Sequence, residues 1–79
     1  MNTQKLSNIT LNEYRQFLTK AGCKHERTSG GHEIWVRSDI LRPVIVQTHI
    51  NPVAEFSIKN ALRNLGLTKK DFFDILNQI

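Results

Sequence analysis

Seventy-nine residues allow a single domain, and 39% hydrophobic with 23% charged residues is globular rather than disordered usage. Eleven Lys and Arg against seven Asp and Glu leave a formal charge of +4, which favours polyanions over acidic surfaces without naming one. Cys23 is the only cysteine, which excludes an intrachain disulfide and a cysteine-rich zinc finger, and the longest apolar run, Val44-Ile45-Val46, is far too short to span a membrane.

The first residues, Met1 to Lys5, lack the apolar stretch of a signal peptide, so the cytoplasm is the expected compartment. The first element is a helix over about residues 11–21. Thr10 and Glu13 form a T-x-x-E capping box, and Ile9 and Tyr14 occupy the positions of a hydrophobic staple. Leu11, Tyr14, Phe17, Leu18 and Ala21 fall on one face, and Gly22 is the natural stop.

Three short strands are expected next, over Lys24–Thr28, His32–Arg37 and Val44–His49. Ser29-Gly30-Gly31 is a turn, and the short links favour antiparallel pairing. In the second strand His32, Ile34 and Val36 share one face and Glu33, Trp35 and Arg37 the other. Apolar content puts Ile34, Val36, Val44 and Val46 in the core and Trp35 on the outer face near Ile45. That starts His32 on the core side, from which it must escape at the strand end to meet a ligand. Ser57 is a plausible N-cap for the next helix, whose Ile58, Ala61, Leu62 and Leu65 form a stripe closed by Gly66. Thr68 and Asp71 cap a last helix with Phe72, Ile75, Leu76 and Ile79 on its apolar face. The predicted fold is α+β, in the order α-β-β-β-α-α, with a three-stranded antiparallel sheet packed on helices.

From the residues alone, two readings of the glycine turn stand open. Gly30-Gly31 can cradle an anion beside His32, or it is only a hairpin turn with His32 at a strand edge. His49 is either a second acid–base group or substrate contact, or a solvated strand end. His25 reads as solvated. Positive charge leans toward residues 1–42. Lys24, Arg27, Arg37 and Arg42 can line a phosphate track, or simply keep the outer sheet face soluble. The spacing of His25, His32 and His49 matches no compact ligand pattern, so no metal and no cofactor is expected.

The helix closed by Gly22, the strand ending Arg27-Thr28-Ser29-Gly30-Gly31-His32, the run Val44-Ile45-Val46-Gln47-Thr48-His49 and the helix ending Leu65-Gly66-Leu67 together resemble the HicA family of mRNA-interferase toxins. The resemblance covers about residues 9–67 of a single domain over 1–79, and the helix at about 68–79 extends beyond the shortest members. It implies a fold similar to the double-stranded-RNA-binding domain and a metal-independent endoribonuclease that cuts mRNA and arrests translation. It also implies a HicB-like antitoxin as partner. Gly30 matches the family glycine, Gly31 stands where serine is usual, and His32 matches the catalytic histidine. Arg27 matches a basic residue before the motif, and His49 lies where the third strand of many members ends in histidine. The stretch 51–55 has no lysine, where many members are basic.

The implied chemistry is elementary. A base takes the 2′-OH proton, the oxygen attacks the adjacent phosphate, and an acid protonates the leaving 5′ oxygen. Histidine suits both tasks, because its ordinary pKa is near 6.5. The expected site is therefore His32 for catalysis, with Gly30, Gly31, Arg27, Lys24 and Arg37 on RNA and His49 as a possible addition. The alternatives are a non-catalytic RNA-binding module of similar fold, and a protein-interaction module using Trp35, Ile45 or the last helix.

Overall fold

Thr10 starts the first helix by its own hydrogen bonds. Its Oγ1 accepts from the Glu13 N–H at 3.1 Å, and the Glu13 carboxylate accepts from the Thr10 N–H at 2.9 Å. The computed structural model, which describes residues 5–78, places α1 at Leu11–Lys20 with Ala21 as C-cap. Gly22 follows at φ +91°, a conformation that side-chain-bearing residues rarely adopt, and the Cys23 N–H closes the end on the Leu18 carbonyl at 2.9 Å.

The sheet comprises β1 (Lys24–Ser29), β2 (His32–Val36) and β3 (Val44–Gln47), antiparallel and in that spatial order. Gly30, at φ +59°, makes the tight turn between Ser29 and His32, which pair directly. A register shift between His25 and Arg27 bulges β1. Two further helices, α2 (Glu55–Leu65) and α3 (Lys69–Leu76), complete the α-β-β-β-α-α order predicted from sequence. No helix among the described residues is long and apolar enough to cross a membrane.

The helices pack on one face of the sheet. Phe17, Leu18, Ile58 and Phe72 are fully buried there, each contributing about 1.5–3 kcal/mol of apolar burial. The Phe17 and Phe72 rings meet edge to face at 4.6 Å, locking α3 against α1. The last helix is thus part of the core. Its own start is a second capping box, Thr68 with Asp71, at 2.9 and 3.1 Å.

Several boundaries differ from expectation: β2 ends at Val36 rather than Arg37 and α3 at Leu76, and Ile79 lies outside the described residues. α2 begins at Glu55, with Ala54 as N-cap and no side-chain cap; the Ser57 N–H already bonds the Ala54 carbonyl at 3.1 Å. The segment before α2 is pinned instead by tertiary bonds, Val53 N–H to the Ile9 carbonyl at 2.8 Å and Leu11 N–H to Asn51 Oδ1 at 3.2 Å. β3 stops at Gln47, so His49 lies in the turn beyond it. β1 reaches Ser29 rather than Thr28.

The faces of β2 are the reverse of the expectation. Register sets Trp35 opposite Val44 and Glu33 opposite Val46, so these four residues share the helix-facing side. Trp35 is 7% exposed and belongs to the core cluster; it is not on the outer face. His32, Ile34, Ile45 and Gln47 share the other side, where Ile34 is nonetheless buried as expected, at 8% exposed. The physical reason lies in the two charged neighbours of Trp35. Glu33 points inward but accepts hydrogen bonds from Arg15 Nε (3.1 Å), Arg15 Nη2 (2.7 Å) and Trp35 Nε1 (3.0 Å). Arg37 donates to the Ala21 and Leu65 carbonyls at 2.9 and 3.0 Å, and also pairs with Asp39 at 2.6 Å. With their charges met, both tolerate the inward face, and the large indole is buried between them.

Candidate nucleic-acid interface

The reversed faces remove the difficulty attached to His32. It opens β2 on the helix-free face and is exposed, directly opposite Ser29 on one side and Gln47 on the other. Gln47 is a neighbour that sequence reasoning passed over; its position two residues before His49 was the available signal.

Gly31 brings a second imidazole to the same place. Its carbonyl accepts from the Thr48 N–H at 2.8 Å and from Thr48 Oγ1 at 3.1 Å. This folds the end of β3 over the glycine turn. A Cβ on Gly31 would stand 3.2 Å from His49 Nδ1, so the missing side chain is the space into which His49 settles. The His32 and His49 rings lie 6.4 Å apart between centroids, at 85° to one another, and both residues are exposed. Serine at this position would press on His49, which as an exposed ring can give by a few tenths of an ångström.

Arg27 pairs in register with Ile34 and Lys24 with Val36, on the same open face as His32. Strand geometry puts these rows roughly 7 and 13 Å from His32 along the hairpin. Arg27 also holds Glu26 at 2.6 Å, but both side chains are largely solvated, so the pair is weak and easily exchanged for another anion. Gly30 supplies the turn itself, with open space where a side chain would stand.

Arg37 does not join them. It sits past the far end of β2, on the helix side, and its guanidinium is committed to Asp39 and to the last carbonyls of α1 and α2. It acts as a shared C-cap, favourable to both helix dipoles. His25 is exposed but turned to the helix side, its ring 5.6 Å from Trp35 and Nε2 within 2.8 Å of Thr28 Oγ1. Cys23 is buried, and burial raises its thiol pKa, despite Arg37 nearby, so the thiolate nucleophile is disfavoured. Among the described residues no group of three His, Cys, Asp or Glu lies close enough together to hold a metal ion.

The arrangement can hold a phosphate among two imidazoles, the glycine turn and Arg27, with Lys24 further along. No family model matches this chain, and no curated protein or solved structure matches it either.

Proposed function

We propose that this protein is an RNA-cleaving toxin of the HicA kind, cutting mRNA in the cytoplasm by acid–base chemistry without a metal ion. The observation that carries the reading is the pairing of His32 with His49 beside the Gly30-Gly31 turn, at 6.4 Å between ring centroids. Cleavage of RNA by its own 2′-OH needs two proton transfers on opposite sides of one phosphorus. One imidazole accepts the 2′-OH proton as O2′ bonds to phosphorus. The other donates a proton to O5′ as the P–O5′ bond breaks, leaving a 2′,3′-cyclic phosphate and a free 5′-OH. Arg27 and the turn N–H groups hold the non-bridging oxygens, and Lys24 meets a neighbouring phosphate.

Such a nuclease needs restraint inside its own cell. A HicB-like antitoxin covering His32 and the basic face of the hairpin would supply it, since substrate and inhibitor would compete for one open sheet surface.

The test is cleavage of a long, loosely structured RNA in EDTA, with His32→Ala beside the parent protein and the product ends identified. Loss of cleavage in the variant, with cyclic phosphate ends in the parent, supports the proposal. Equal cleavage by both removes His32 from the mechanism. Salt-sensitive binding without any cleavage would identify a non-catalytic RNA-binding module instead.

A further inference from the structure

β3 is an edge strand, and its free side is unusually well prepared for another chain. The Thr48 N–H bonds back to Gly31 of the hairpin, so by antiparallel alternation Val46 and Val44 also direct their backbone groups to β2. Ile45 directs both of its groups outward, as Gln47 does its N–H, while the Gln47 carbonyl accepts from the Ile50 N–H at 3.4 Å. Native edges are ordinarily blunted by lysine, proline or a covering loop. Here Pro43 blunts only the entry to the strand, while its middle is Ile45, 44% exposed, and the strand itself carries no charge.

Beside this edge runs an open groove of about 570 Å³, walled by β3 on one side and α2 on the other. Arg42 and Arg63 both line it, and no carboxylate does. Neither arginine is in an ion pair among the described residues. Asn64 closes part of the wall by donating to the Arg42 carbonyl at 2.8 Å. On α2, Phe56 shares a stripe with Asn60 and Arg63 at i, i+4 and i+7, and Phe56 is 66% exposed. Apolar surface, unpaired cations and unpaired strand backbone thus meet along one line.

We propose that this edge and groove bind an extended acidic segment of a partner protein, which adds to the sheet as a fourth strand beside β3. Backbone donors and acceptors alternate along the Ile45–Gln47 edge, and only another peptide backbone answers both. Alternate side chains of the added strand would face α2, where Arg42 and Arg63 favour carboxylates and Phe56 favours an apolar neighbour. A second copy of this chain is a poor occupant, because it would bring its own two arginines against these. The edge ends at Gln47, opposite His32, but the groove lies on the α2 side of β3, and the proposal does not depend on nuclease activity.

The test uses the whole protein and three probes: a short peptide alternating glutamate with valine, its lysine–valine counterpart, and oligouridylate. Amide exchange and backbone NMR shifts are read at Ile45 and Gln47. The glutamate peptide is expected to slow exchange at both amides, with affinity falling as salt rises. Joint Arg42→Glu and Arg63→Glu substitution is expected to weaken it roughly tenfold or more and to admit the lysine peptide. Equal response to both peptides on the parent protein, or no protection at Ile45, overturns the proposal whatever the variant does. So does oligouridylate filling the groove while the glutamate peptide is silent.

Discussion

Glu33 offers the sharpest check on why β2 presents the face it does. Its side chain is 13% exposed and accepts three hydrogen bonds, two from Arg15 and one from Trp35. Burial pushes its pKa up, but the Arg15 and Trp35 hydrogen bonds and the Arg15 charge outweigh it, holding the carboxyl below its ordinary 4.5. Glu33→Gln keeps the shape and one acceptor but removes the charge that Arg15 faces. Arg15 is 37% exposed and can turn to water, so the cost falls below that of a fully buried pair, at about 1–2 kcal/mol. For a domain of this size that is a drop in Tm of roughly 5–15 °C. The sign of the pH dependence follows from the depressed folded pKa. The stabilisation is fully present above the unfolded value and is lost as pH falls through the folded one. Thermal unfolding of the parent and Glu33→Gln should therefore differ at neutral pH and converge below the carboxylate range. A double-mutant cycle with Arg15→Met should return a coupling of about 1 kcal/mol at neutral pH. A coupling near zero, or a gap that persists in acid, would refute the account of Glu33 as the group that makes the inward face tolerable.

Other expectations follow from the same geometry. His32→Ala and His49→Ala should each lower RNA cleavage by about 10²–10⁴-fold while leaving Tm nearly unchanged, because both rings are exposed; a fully active His49→Ala would remove it from the reaction. Arg37→Met should destabilise by about 1–3 kcal/mol without altering the salt dependence of RNA binding, read by melting and by titration. Gly31→Ser should change Tm little, since no positive φ is needed there, and should shift the His49 ring resonances as the new Cβ displaces it. Phe72→Ala should cost about 3–5 kcal/mol by opening a cavity against Phe17, and a near-neutral melt would show that α3 is not part of the cooperative core.

The helices and the turn were legible in the chain because their causes are local. Thr10 with Glu13, and Thr68 with Asp71, satisfy free N–H groups three residues away, whatever the rest of the molecule does. Gly22, Gly30 and Gly66 stand at the positive φ values that their places in the pattern demand. The start of α2 was misread for the complementary reason: Ser57 looked like a cap, but long-range bonds from Val53 and Asn51 to the start of α1 hold the entry.

Which face of β2 is inside was a matter for tertiary structure. By content, Ile34 and Val36 outweigh Glu33 and Arg37, and alternation alone puts the latter in water. Pairing against Val44 and Val46, with Arg15 from α1 and carbonyls from two helix ends, inverts that balance. The inversion buries Trp35, takes Arg37 out of the candidate interface and leaves His32 on open surface. His32 and the two glycines were visible as a motif. The approach of His49 was decided only when the Gly31 carbonyl captured Thr48 across 17 residues of chain. Local hydrogen bonding is written in neighbouring residues, whereas the choice of face and the meeting of two imidazoles depend on which distant charges and backbone groups the fold makes available.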